Sequence, residues 1–111
     1  MKDDLLYLRH IAESIRRVEE NTRDGRDAFF SSHTLQDAVL RNLQTLAEST
    51  QRLSAEAKAA QPGVDWRAIS GFRNVLVHNY LGLDMGQVWI VIERDVPPLK
   101  AAVLALLSRQ S

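Results

Sequence analysis

"TLQDAVLRNLQTLAEST", residues 34 to 50, decides the fold class. Its apolar residues Leu35, Ala38, Val39, Leu43, Leu46 and Ala47 recur at three- and four-residue steps, and Leu53 continues the series. That spacing lines one face of an α-helix. Gly and Pro are absent from Thr34 to Gln61, which predicts one long helix ended by Gln61-Pro62-Gly63. Ser31, Ser32 and Thr34 all qualify as its N-cap.

The same period extends in both directions. Upstream, Leu5, Leu8, Ala12, Ile15 and Val18 predict an amphipathic helix over residues 3 to 20. Asn21 to Arg26 contains Asp24-Gly25 and reads as a turn. Ala28-Phe29-Phe30 reads as a short helical turn that drops two aromatics onto the core. Downstream, Asp65 caps a helix from Trp66 through Ile69, Phe72, Val75 and Leu76 to about Tyr80. Leu81-Gly82-Leu83 is a break, and Asp84 with Gln87 is a candidate capping box. A fourth helix carries Val88, Trp89, Val91 and Ile92. Pro97-Pro98 interrupts it and suits the first turn of a fifth helix with Leu99, Val103, Leu104, Leu106 and Leu107. With no strand alternation, repeat or linker, the expectation is one all-α domain over residues 1–111. Its form is an up-and-down bundle of four to five helices with short connections. So small a bundle buries a modest share of its surface, so homodimerisation through an apolar helix face is expected.

The formal net charge is zero, which removes the overall basic footprint of a dedicated nucleic-acid binder. A local one stays open, because eleven of the fourteen cations are Arg, the better residue for bidentate phosphate contacts. Without Cys, disulfides and thiolate metal sites are out of reach. His10 and His33 have no ligand-like neighbours one helical turn away, so no metal and no cofactor are expected. The N-terminus lacks the apolar run of a signal peptide, and no run approaches the ~18 residues of a membrane span. A soluble cytoplasmic protein with no membrane partner is the expectation.

"GFRNVLVHNYLG", residues 71 to 82, places Arg73, Asn74, His78, Asn79 and Tyr80 around a core-seeking Val75-Leu76-Val77. On an ideal helix Arg73 and Tyr80 fall within about 20°, whereas Arg73 and His78 are offset by about 140°. Three routes close that gap: the reach of the Arg stem, a bend near Asn79, or a two-fold dimer whose copies line one cleft. Imidazole exchanges protons near neutral pH, and guanidinium offers a permanent charge and a fork of donors to phosphate. Together they meet the minimum for cleaving RNA without metal. A structural account fits the residue types as well. His78 then caps C-terminal carbonyls, Arg73 pairs with Asp65, Glu48 or Glu93, and Tyr80 is half-buried with its hydroxyl in solvent. Periodicity does not choose between them. Trp66 and Trp89 read as core or dimer-interface anchors. Asn42 reads as an amide bonding a neighbouring helix, and Arg41 as a solvated face or an extension of a phosphate surface.

The order R-x4-H-x-Y, with Asn after the Arg, resembles the signature of HEPN-domain ribonucleases, most closely the HepT toxin family. The resemblance extends to "TLQDAVLRNLQTLAEST", "WRAISGFRNVLVHNYLGLD", "VWIVIERDVPPLK" and the N-terminal amphipathic helix, nearly the whole chain. It implies a HEPN bundle working as a homodimer, with the active cleft at the two-fold interface. Arg73 and His78 would be the catalytic pair acting on RNA, and Asn74 a supporting residue. Tyr80 would be the tyrosine that a partner nucleotidyltransferase, the MntA antitoxin, modifies with AMP. The alternative from a different class is a non-enzymatic binding partner of a nucleotidyltransferase, with Arg73 and His78 holding a nucleotide phosphate.

Overall fold

A computed structural model describes residues 2–78 and 82–110. Seven helices follow one another among these residues: α1 (Lys2–Asn21), α2 (Arg26–Phe30), α3 (His33–Gln51), α4 (Ala55–Ala59), α5 (Trp66–His78), α6 (Met85–Arg94) and α7 (Val96–Gln110). No strand occurs among them, so the all-α expectation holds.

α1 is the central post, packed against both α3 and α7. Its apolar stripe, Leu8, Ile11, Ile15 and Val18, is 0–2% exposed, because residues three and four apart share one helix face. Val39, Leu43, Leu46 and Ala47 of α3 meet that stripe in one core, joined by Leu99, Val103 and Leu106 of α7. The start of α1 meets the chain just past α3, through Asp4 and Ser54. Glu19 near its other end pairs with Lys100 early in α7. α1 therefore runs antiparallel to both neighbours, the up-and-down arrangement expected of short connections. α5 also packs against α3, where Ile69 and Phe72 line one pocket with Leu43 and Leu46.

Two sequence expectations need correction. The long second helix stops at Gln51 and restarts at Ala55. Ser54 is extended (φ −65°, ψ 157°), and its hydroxyl accepts the Ala57 N–H at 3.1 Å as an N-cap. Its own N–H and hydroxyl are donated to the Asp4 carboxylate at 2.8 and 2.6 Å. A buried acid fifty residues upstream thus breaks a helix that holds no Gly or Pro. The second correction concerns the paired aromatics. Phe29 is fully buried, but Phe30 is 36% exposed beneath the Arg26 guanidinium, 4.9 Å from the ring centre. A single helical turn cannot aim two consecutive side chains at one core.

Of the three candidate caps, Ser32 is the one used, accepting the Leu35 N–H at 3.1 Å. Asp65 caps α5 through the Ala68 N–H, and Asp84 caps α6 through the Gly86 N–H. Pro97 and Pro98 stand in the first turn of α7, where a missing N–H costs little.

Candidate active site

α5 is amphipathic in an uneven way. Ile69 and Leu76 are buried and Phe72 packs against them, whereas Val75 and Val77 are 43% and 40% exposed. Taking the centre of the buried stripe as inward, Arg73 lies on the flank, and Asn74 and His78 point outward within about 40° of each other. Arg73 is half-buried, and Asn74 and His78 are exposed.

Arg73 is held without a counter-charge from the described residues. Its Nη1 donates to Asn74 Oδ1 at a long 3.4 Å, and its Nε is sealed from solvent with no acceptor among the described residues. No ion pair among the described residues engages it. Two of the three carboxylates that sequence offered are engaged elsewhere: Glu48 accepts from Gln44 at 2.9 Å and Asp65 caps α5; the third, Glu93, is exposed and forms none of the ion pairs among the described residues. A donor sealed from water without an acceptor costs about 1–3 kcal/mol, so such groups gather where a ligand completes them. His78 stands exposed in the last described turn of α5. α5 is regular as far as His78, so within one protomer Arg73 and His78 stay about 140° apart and about 7.5 Å along the axis. Arg73 and Asn74 are brought together; Arg73 and His78 are not. The expectations for Asn79 and Tyr80 fall outside the described residues.

The remaining polar candidates resolve plainly. Asn42 donates to Asn21 Oδ1 at 3.1 Å, tying α3 to α1 as expected of an inter-helix amide. Arg41 is exposed. Trp66 packs on the core with its indole N–H shared between the Lys58 and Gln61 carbonyls, both at 3.1 Å. Trp89 packs at a tilt against Phe29, ring centres 5.3 Å apart, and its buried indole N–H has no acceptor among the described residues. No group of three or more His, Asp or Glu placed to hold a metal ion occurs among the described residues. Nor is any helix among them long and apolar enough to cross a membrane. What sequence could not supply was the isolation of Arg73, since three carboxylates lay within plausible reach.

A helical bundle that presents Arg, Asn and His from one surface helix is consistent with the HEPN pattern that the R-x4-H order resembles. The model of the family described as "Ribonuclease HepT-like" matches residues 11–106, and the chain belongs to that family. It is 37% identical over 107 residues to a Methanocaldococcus jannaschii protein named as a gamma-glutamylcyclotransferase and putative RNase. That match takes in 96% of this chain and 48% of the relative, so the chain spans about half of that protein's length. A Thermococcus cleftensis protein named as a probable ribonuclease HepT is 34% identical over 85% of this chain and 86% of its own. A second M. jannaschii protein, named as a putative RNase, is 31% identical over 92% of this chain and 94% of its own. No solved structure gives a significant match.

Proposed function

We propose that this chain is a metal-independent endoribonuclease and the toxin of a toxin–antitoxin pair, acting as a homodimer. The observation that carries the reading is the unneutralised Arg73, five residues before an exposed His78, in a chain of the HepT-like ribonuclease family. Because one straight helix holds the two about 140° apart, each cleft takes Arg73 from one protomer and His78 from its partner. The exposed Val75 and Val77 beside them supply apolar surface for that contact.

In the cleft, His78 accepts the proton of a ribose 2′-hydroxyl, and the freed oxygen attacks the adjacent phosphorus. Arg73 donates to the non-bridging oxygens as negative charge builds there. The bond to the 5′-oxygen breaks, that oxygen takes a proton from water, and His78 returns its own proton to solvent. The products are a 2′,3′-cyclic phosphate and a 5′-hydroxyl. Asn74, touching the Arg73 guanidinium, orients it.

Tyr80 is the acceptor of AMP from an MntA-like nucleotidyltransferase antitoxin. Its phenolic oxygen gives up its proton to solvent and displaces pyrophosphate from ATP, and the anionic adduct, seven residues along the chain from Arg73, competes with RNA for the guanidinium. The test is digestion of RNA by the purified chain in EDTA, beside His78→Ala. The expected result is cleavage to cyclic-phosphate ends by the parent and none by the variant. A parent that binds nucleotides yet cuts none of several RNAs is instead a non-enzymatic binding partner of the nucleotidyltransferase.

A further inference from the structure

A second polar depression lies between α1 and α3, and the cleft on α5 makes no use of it. His10, Ser14 and Arg17 of α1 face Arg41, Asn42 and Thr45 of α3 across a groove of about 290 Å³. On α3, Arg41 and Thr45 sit about 160° around the axis from Leu43, which faces α5. The helix itself therefore stands between the two places.

The lining is rich in unspent donors. Ser14 is 4% exposed, and no hydrogen bond among the described residues engages its hydroxyl, which leaves a donor on the groove floor. Arg41 takes part in none of the ion pairs among the described residues. Asn42 commits one amide hydrogen to Asn21 and keeps the other. Thr45 gives its proton to the Arg41 carbonyl at 3.2 Å and so cannot donate to a ligand. Glu13 is the one carboxylate on the rim, and its charge is taken up along α1. Arg16 holds it with two bonds, at 2.8 and 2.9 Å, and Arg17 with one at 3.0 Å. These contacts hold its carboxyl down at about 2. A groove lined by a guanidinium, a buried hydroxyl and an imidazole offers the donors that the oxygens of a phosphate ester accept.

We infer that this groove is a second phosphate site, which grips an RNA phosphate away from the scissile one. The inference rests on the ribonuclease reading of α5. It gives a chain of zero net charge a second local handle on a polyanion, one in each copy.

The experiment measures binding of a fluorescent 2′-O-methyl RNA, which cannot be cut, across a salt series. Parent, Arg41→Gln, Ser14→Ala and the distant Arg109→Gln are compared, with inorganic phosphate and AMP as separate ligands. Arg41→Gln is expected to weaken RNA binding on the order of tenfold at low salt and to lower the salt slope by about 1. Ser14→Ala weakens binding with the slope unchanged, and Arg109→Gln matches the parent. On cuttable RNA, Arg41→Gln raises KM and leaves kcat unchanged, a split that a folding defect does not produce. If AMP moves the His10 ring signals in NMR while RNA affinity ignores Arg41, the groove holds a free mononucleotide and the RNA grip is overturned. RNA affinity indifferent to Arg41 and Ser14, with no AMP response, overturns the site altogether. RNA that binds through Arg41 but is never cut by the parent overturns the nuclease reading and leaves the groove standing.

Discussion

Arg73 is where stability and function pull apart. A half-buried guanidinium with a sealed, acceptor-less Nε and no ion pair among the described residues is a net cost to the fold. Arg73→Met keeps the apolar stem and removes the charge. Its melting temperature is therefore expected to equal or exceed the parent's. Cleavage is expected to fall about 10²- to 10³-fold, the usual loss when a preorganised donor is removed from a developing oxyanion. A thermal melt and a cleavage time course on the same preparation decide the matter. A melting temperature that falls together with activity would make the guanidinium a structural group. Arg73→Lys is not a rescue, because an ammonium cannot reproduce a planar fork of donors.

At the scale of the element, Asp4 holds the start of α1 to the break between α3 and α4. Its carboxyl feels burial, which raises it, but the Ser54 hydroxyl and N–H together outweigh that and hold it below the ordinary 3.8. A depressed carboxyl contributes stability above its unfolded pKa and loses it as pH falls through the folded one. The contribution is thus whole at neutral pH and fades below about pH 4. Asp4→Ala is expected to cost about 1–3 kcal/mol at pH 7 in urea melts, with the gap to the parent closing toward pH 2. A gap independent of pH would show that the charge is not what holds the latch. Gly71 carries a prediction of opposite sign. A Cβ built there meets nothing within 4 Å, and a mid-helix Gly is weaker than Ala, so Gly71→Ala should gain roughly 0.5–1 kcal/mol in the same melts. These elements also explain what sequence could convey. The stripes of α1 and α3 and the caps Ser32, Asp65 and Asp84 are local patterns, and each was readable from neighbours within a turn. The stop after Gln51 depends on Asp4, the exposure of Phe30 on which neighbour α2 packs against, and the isolation of Arg73 on where Glu48 and Asp65 turn. Contacts between residues far apart in the chain leave no period to read. The groove over Ser14 is of that kind too, since its two walls come from helices with another helix between them in sequence.

At the scale of the molecule, the proposed reaction needs two copies, and that can be tested by mixing. On that proposal each cleft takes Arg73 from one protomer and His78 from its partner, so Arg73→Ala and His78→Ala homodimers are both expected to be inactive. After subunit exchange at equal amounts, half the dimers are expected to be mixed. In a mixed dimer one cleft pairs the intact Arg73 of one chain with the intact His78 of the other, and the second cleft has neither. Activity should then return to about a quarter of the parent level, as two-fold symmetry requires. Sedimentation of the parent at assay concentration is expected to give twice the chain mass of 12.5 kDa, and the mixture should sediment alike. Exchange that restores nothing, although the mixed dimers are present, would mean that Arg73 and His78 do not meet across the two-fold axis. The 140° between them on one helix would then have to be closed within a single chain, by the last turn of α5 unwinding between Arg73 and His78 when RNA binds.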